Sequence, residues 1–356
     1  MHAPPRPPAD APPVRINLYS DTQTRPTPAM KQAMLAAEMG DEQAGLDPTV
    51  DALCDRMAAL LGTEAAMFLP SGTMCNRIAL LTHCRPGDGV LAHETAHILS
   101  AEGGGAAALG GVQIMPLTGA RGQFDAAALA AALLPRSRYA VPQSLVAVEQ
   151  TSNLGGGAVW PLAMLREVAG WAHAHGMATH MDGARLLNAV VAAGVPAAEM
   201  AAGYDSVWLD FTKGLGAPLG AVLCGSAEFI DRAWVWKQRL GGALRQAGMC
   251  AAACLYALDH HVDRLAEDHA NAAVLARALG QVEGLAVEAP ETNLVFIDTR
   301  GSGLRAADFC GRLRAAGVLV SAMGEWRARA CTHLDVDRAQ VEQAAAAMRD
   351  VAAGRR

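Results

Sequence analysis

The chain has 356 residues, enough for one large core or two modest ones, and at 52% hydrophobic and 18% charged it reads as an ordered globular protein, apolar enough to suggest subunit interfaces. A net charge of −6 without long basic runs argues against nucleic acid as the main partner, and no apolar stretch is long enough to span a bilayer. Met1–Pro13 is rich in proline and alanine, lacks the apolar core of a secretory signal and reads as a disordered tail. The eight cysteines show no paired Cys-x-x-Cys spacing. They read as buried free thiols of a reducing, cytoplasmic compartment, with no metal or disulfide framework expected.

In chain order, Val14–Pro26 is extended, and Thr27-Pro28 caps a helix through Glu38. After a loop, Thr49 begins an amphipathic helix to Leu61. Ala65–Pro70 is a strand, and Ser71-Gly-Thr-Met-Cys-Asn76 opens the next helix. A strand, a small polar turn and a helix aim free backbone N–H groups and a positive dipole end at an anion, although the same pattern also serves as a simple N-cap. His93 and His97 flank a turn, and Glu102-Gly-Gly-Gly105 and Leu109-Gly-Gly111 mark close backbone approaches before a strand at Val112–Pro116. Leu145–Asn153 is a buried strand ending in polar residues, and a helix over Pro161–His175 links it to the strand that ends in Asp182. Gly183-Ala-Arg185 then leads into a helix near Leu186. Asp205–Phe211 is another apolar strand, running into Thr212-Lys-Gly-Leu-Gly-Ala-Pro218, with a further strand at Ala221–Cys224. The repeat of strand, helix, strand predicts an α/β fold with a mostly parallel sheet covered by helices. Phe229–Leu240 is helical, and a long helix runs from Met249 into the 270s. His260, His261 and His269 on it read as surface histidines rather than metal ligands. The remainder forms a compact α/β unit.

The chemistry centres on Lys213. Only three of the 29 basic residues are lysines (Lys31, Lys213 and Lys237), so a lysine here is needed as lysine, the side chain that forms imines and readily changes its pKa. Lys31 and Lys237 sit in polar, helix-like surroundings and read as solvated. Asp182 and Arg185 lie at the C-terminal end of a strand, where open α/β sheets place ligands. A lysine amine, an acid and a phosphate cradle at Ser71, Gly72 and Thr73 are what pyridoxal 5′-phosphate requires.

Asp182-Gly-Ala-Arg185 followed by Thr212–Pro218 resembles the threonine aldolase / β-eliminating lyase family, within the aspartate-aminotransferase fold of pyridoxal enzymes. The likeness extends from Ser20-Asp-Thr-Gln-Thr-Arg-Pro-Thr to Arg327–Asp335. It implies a large cofactor-binding domain over 14–258, a small C-terminal α/β domain over 259–356, and a homo-oligomer, a dimer of dimers with active sites shared between subunits. By the same likeness, His97 stacks on the cofactor ring, and His97 or a water it orients is the base for the substrate hydroxyl. Arg245 reaches a neighbouring subunit's cofactor phosphate. Ser20, Arg185 and Arg329 hold the amino-acid substrate, with Arg327 the alternative to Arg329. The implied reaction is cleavage of a β-hydroxy-α-amino acid to glycine and an aldehyde. β-Elimination or racemisation is the alternative on the same frame, and a non-catalytic pyridoxal-binding regulator the alternative of another class. Several positions depart from the family's pattern. Tyr139 stands where a histidine near the substrate hydroxyl is usual, and Gln150-Thr-Ser-Asn153 replaces Asn-Thr-His-Asn. Ala44 replaces a tyrosine, Leu46 an acid, and Ile98-Leu99 an aromatic. These changes predict a less polar pocket around the β-substituent, suited to a substrate bulkier than threonine or α-substituted.

Overall fold

A computed structural model describes residues 12–354, so the expected tail lies almost wholly outside the described residues. The chain divides into two compact units, one running from Thr24 to Ala266 and the other combining the segment up to Gln23 with the segment from Glu267 onward. The extended N-terminal segment, assigned by sequence to the large domain, belongs to the second unit, where Ile16 and Asn17 pair in parallel with Val318 and Leu319.

The larger unit is built on a seven-stranded sheet. Its strands are β1 (Ala65–Leu69), β2 (Gly89–His93), β3 (Gln113–Leu117), β4 (Gln143–Glu149), β5 (Ala178–Gly183), β6 (Ser206–Asp210) and β7 (Ala221–Gly225). Their order across the sheet is β1-β7-β6-β5-β4-β2-β3, and only β7 runs antiparallel to its neighbours. Every residue of β2, β6 and β7 is buried, as a sheet covered on both faces requires. On one face Val146, Val148, Met181, Val207 and Leu209 pack with Leu165, Val168 and Met200. On the other, Met67, Leu69, Trp208 and Leu223 meet Ile78, Phe229 and Ala233.

Local chemistry sets the helix starts. Thr27 accepts from the Met30 N–H ahead of a helix at Pro28–Leu35, one turn shorter than expected, and Asp47 caps Pro48–Leu61, which Gly62 ends with a φ of 67°. β2 was not among the expected strands. The long helix expected from Met249 is two, Gly248–His260 and Leu265–Leu279, parted by a turn at 261–264.

The second unit holds an antiparallel sheet ordered Ser321–Ala322, Arg327–Cys331, Leu294–Asp298, Ala286–Val287. Val295, Ile297, Phe309, Leu313, Val341 and Met348 lie in its core. No helix of the described residues is long and apolar enough to cross a membrane, and all eight cysteines are free thiols.

Candidate active site

The C-terminal ends of β4, β5 and β6 carry Glu149, Asp182 and Asp210, and the register sets Glu149 beside Asp182 and Asp182 beside Trp208. β1 and β6 are each antiparallel to β7, so they share one direction, and the turn after β1 brings the start of the Gly72–His83 helix to the same edge. Topology alone thus gathers an acid, a lysine-bearing turn and a helix N-terminus at one place.

Lys213 follows β6 by three residues, and its Nζ contacts Asp210 Oδ2. Asp210 Oδ1 is held by the Thr212 N–H and hydroxyl at 2.8 and 2.7 Å. The Lys213 carbonyl accepts from Thr24 Oγ1 at 2.8 Å, and the Leu215 carbonyl accepts from His261 Nδ1 at 2.7 Å. Gly216 closes the turn with a φ of 76°, a left-handed value that favours glycine. His261, expected on the surface, is buried, because its ring N–H satisfies that loop carbonyl.

Asp182 is buried, its Oδ1 accepting from the Ala184 N–H at 3.0 Å and its Oδ2 from Asn76 Nδ2 at 2.8 Å. Asn76 Nδ2 also donates to Glu102 Oε1 at 2.7 Å, which faces His97 Nδ1 at 2.9 Å, while Arg77 reaches Glu102 Oε2 at 3.1 Å. In the glycine run after Glu102, Gly105 has a steric cause, since a Cβ there would lie 2.2 Å from the Arg77 guanidinium, whereas Gly103 and Gly104 face open space and take left-handed φ values of 62° and 68°. Burial raises the Asp182 pKa above the usual carboxylate value, opposed by the Asn76 hydrogen bond and the charges of His97 and Lys213. The Glu102 hydrogen bond raises that of His97. His97, Glu102 and Asp182 put ligand atoms within 4.8 Å of one another, a spacing that would suit a cation, but the Arg77 guanidinium and Asn76 amide already donate to these carboxylates.

Glu149 was missed by sequence. Its carboxylate accepts from the backbone N–H groups of His97 at 2.8 Å and Asn153 at 2.7 Å, tying the two loops that flank Asp182. Burial, aided by the Asp182 charge, pushes its pKa from 4.5 to about 7. A carboxyl with a raised folded-state pKa keeps its proton in the folded state where the unfolded chain has released it, so it lowers stability as pH rises from 4.5 to about 7. The urea midpoint of cofactor-free protein should fall across that window, and Glu149→Gln should flatten the fall. An unchanged slope in the variant would remove Glu149 as its source.

At the start of the 72–83 helix, Ser71 Oγ accepts from the Met74 N–H at 3.3 Å. The N–H groups of Gly72 and Thr73 belong to a first turn that lacks intrahelical acceptors. A Cβ on Gly72 would lie 2.1 Å from the Trp208 indole, so only glycine lets the helix start so close to β6. Arg185 is buried at the entrance to the Leu186–Ala193 helix. Arg245 is exposed and pairs with Asp41 at 2.8 Å. Tyr139 is 90% exposed, and no contact among the described residues joins it to Lys213 or Asp182. In the other unit, Ser20 is buried, its Oγ accepting from the Thr22 N–H and hydroxyl at 3.2 and 2.9 Å. Arg329 is buried on its strand, whereas Arg327 pairs with Glu288 at 3.0 Å and lies 3.8 Å over the Phe296 ring. Arg327 is thus committed elsewhere.

The donor set fits pyridoxal 5′-phosphate. A buried carboxylate whose pKa burial has raised gains from a cationic ring nitrogen, the helix start suits a phosphate, and Lys213 supplies the amine.

Comparison with known proteins agrees. The model of the Beta-eliminating lyase family matches residues 17–302. A low specificity L-threonine aldolase of Escherichia coli K12 is 41% identical over 93% of this chain and 97% of its own. Among solved structures, a Leishmania major threonine aldolase superposes with a TM-score of 0.81 at 20% identity, over 95% of this chain and 99% of that one. An aspartate aminotransferase of Rhizobium meliloti gives 0.70 at 18% identity, over 96% and 92%. The fold is therefore aspartate-aminotransferase-like, its cofactor is pyridoxal 5′-phosphate, and the chain belongs to the threonine aldolase / β-eliminating lyase family.

Proposed function

We propose that the protein cleaves a β-hydroxy-α-amino acid to glycine, or a related amino acid, and an aldehyde. The observation that carries this reading is the Lys213–Asp210 pair at the same sheet edge as the buried Asp182 carboxylate. The threonine aldolase activity named for the Escherichia coli relative supports it.

When bound, the cofactor supplies an aldehyde that takes amines covalently and a cationic ring that draws electron density from the bond being broken. Lys213 is the amine that would hold it, and Asp210, in contact with Nζ, would take up or return a proton there. Asp182 keeps its charge against the ring nitrogen. Ser71, Gly72 and Thr73, at the N-terminus of the Gly72–His83 helix, would hold the phosphate. His97 would stack on the bound ring, as the family likeness implies. Its Nδ1 is engaged by Glu102, which fixes the tautomer and makes Nε2 more basic. That suits His97, or a water it orients, to take the β-hydroxyl proton. As that proton leaves, the Cα–Cβ bond breaks, the aldehyde departs, and a proton returned to Cα gives glycine. Arg329 is the planar fork for the substrate carboxylate, with Ser20 and Arg185 assisting. Arg245 and Tyr139 are proposed to serve a neighbouring subunit's site in a dimer of dimers, which their exposure in the single chain permits.

Leu46, Ile98 and Ser152 replace more polar or aromatic residues of the family pattern, which supports a substrate with a bulky apolar β-substituent or an α-substituent. Purified protein with pyridoxal 5′-phosphate and a panel of β-hydroxy amino acids should release glycine and aldehyde, with bulkier members turned over faster than threonine. Faster threonine cleavage would sink the specificity reading. A keto acid and ammonia in place of glycine would sink the aldolase reading.

A further inference from the structure

A chain of hydrogen bonds leaves the Asp182 carboxylate and runs through the large unit away from the active-site edge. Asn76 Nδ2 donates to Asp182 Oδ2 at 2.8 Å and to Glu102 Oε1 at 2.7 Å. On its other side, Asn76 Oδ1 meets Trp208 Nε1 at 2.7 Å and His180 Nε2 at 3.0 Å. His180 Nδ1 lies 2.8 Å from Ser206 Oγ, and the same hydroxyl lies 2.8 Å from His83 Nε2. Asn76, His180 and Ser206 are buried, and His83 is half-buried.

The proton positions follow from what each group can do. An indole N–H only donates and an ionised carboxylate only accepts, so the Asn76 amide has a single orientation, with nitrogen toward the two acids and oxygen toward the indole. His180 Nε2 must then carry a hydrogen to reach the Asn76 oxygen. Burial lowers the His180 pKa to about 3 and that of His83 to about 4, so near neutral pH each ring is uncharged and holds one N–H. His180 Nδ1 is therefore an acceptor, the Ser206 hydroxyl must donate to it, and His83 Nε2–H must donate to Ser206. Every donor in the series points toward Asp182. Aligned donors polarise one another, and a donor on a carboxylate favours its ionised form.

We infer that Asn76, His180, Ser206 and His83 form a proton-ordered relay that orients the Asp182 carboxylate and keeps it ionised for the cofactor ring nitrogen, with Asn76 and His180 as its positioning residues. The inference rests on the role proposed for Asp182. It assigns work to side chains that act through Asp182, and it explains why two histidines, one buried and one half-buried, and a serine line up behind a single acid.

Two measurements test it. Nitrogen-15 histidine NMR of cofactor-free protein should find His180 and His83 neutral with the hydrogen on Nε2. In cofactor titrations followed by absorbance, His180→Leu should weaken pyridoxal 5′-phosphate binding about tenfold and shift the pH midpoint of the visible band. His180→Gln should stay within about twofold of the parent, because its amide nitrogen is as many bonds from Cα as the ring Nε2 and keeps the donor to Asn76. A His180 hydrogen on Nδ1, or a His180→Leu protein that binds cofactor and absorbs like the parent, overturns the relay. Asp182→Asn separates the two readings: unchanged affinity and spectrum in that variant would overturn the role of Asp182 itself, while the histidine tautomers are still read without cofactor.

Discussion

Lys213→Ala should lower cleavage by at least about 10³-fold and abolish the absorbance of covalently held cofactor, because the amine that this chemistry uses has no substitute in the chain. Of the other two lysines, Lys237 is fully buried against Glu42, and Lys31 lies on the exposed surface of the Pro28–Leu35 helix. Arginine is always charged and forms no comparable imine, so Lys213→Arg should fail equally while retaining a cation beside Asp210. The two variants therefore separate charge from nucleophilicity. Alanine leaves the Asp210 carboxylate without the ammonium, and some loss of stability is expected with the loss of activity. Arginine should recover part of the stability and none of the chemistry. Single-turnover assays of glycine release with cofactor titrations read both effects. Activity above a few per cent of the parent in either variant would remove Lys213 from the reaction.

The features that the sequence revealed are those whose partners lie close along the chain or that repeat a strand-to-turn pattern. Ser71-Gly-Thr73 after β1, Asp182 at the end of β5 and Lys213 after β6 all follow that rule, and the parallel sheet brings their turns to one edge. What stayed hidden depends on distance along the chain. Asn76 meets Asp182 across 106 residues and Trp208 across 132, so an asparagine one turn into a helix carries no local sign of its role. Glu149 ends a buried strand, where an acid usually marks the way out to solvent, yet it folds back onto two backbone N–H groups. Asp210 could have been suspected, since an acid three residues before the key lysine is well placed to pair with it. The break at 261–264 gives no proline or glycine signal, and His261 was misplaced because its acceptor, the Leu215 carbonyl, lies 46 residues earlier.

Lys237 is the largest departure from the sequence reading, and it carries the second prediction. Expected in solvent, its side chain is 0% exposed; its Nζ contacts Glu42 Oε1 and lies 4.2 Å from the centre of the Trp234 ring. Glu42 Oε2 accepts from the Leu244 N–H at 2.9 Å, and the Glu42 N–H donates to the Arg245 carbonyl at 3.1 Å. The pair thus pins the segment that carries Arg245 to the loop that holds Asp41, the partner of the Arg245 side chain. Burying two charges is costly, and removing one leaves the other without compensation. Lys237→Met should therefore destabilise the fold by about 3–5 kcal/mol, read as a fall in the urea midpoint at unchanged slope. Adding Glu42→Gln should recover much of that loss, since the uncompensated charge disappears and the amide still offers an oxygen to the Leu244 N–H. If the proposed reach of Arg245 to a neighbouring cofactor phosphate is correct, Lys237→Met should also weaken cofactor binding through the loosened Arg245 segment. The double variant should restore stability more fully than cofactor affinity, because the amide does not recreate the charged tether. Equal losses in the single and double variants would show that Lys237 contributes packing alone, and that the ion pair does not position the Arg245 turn.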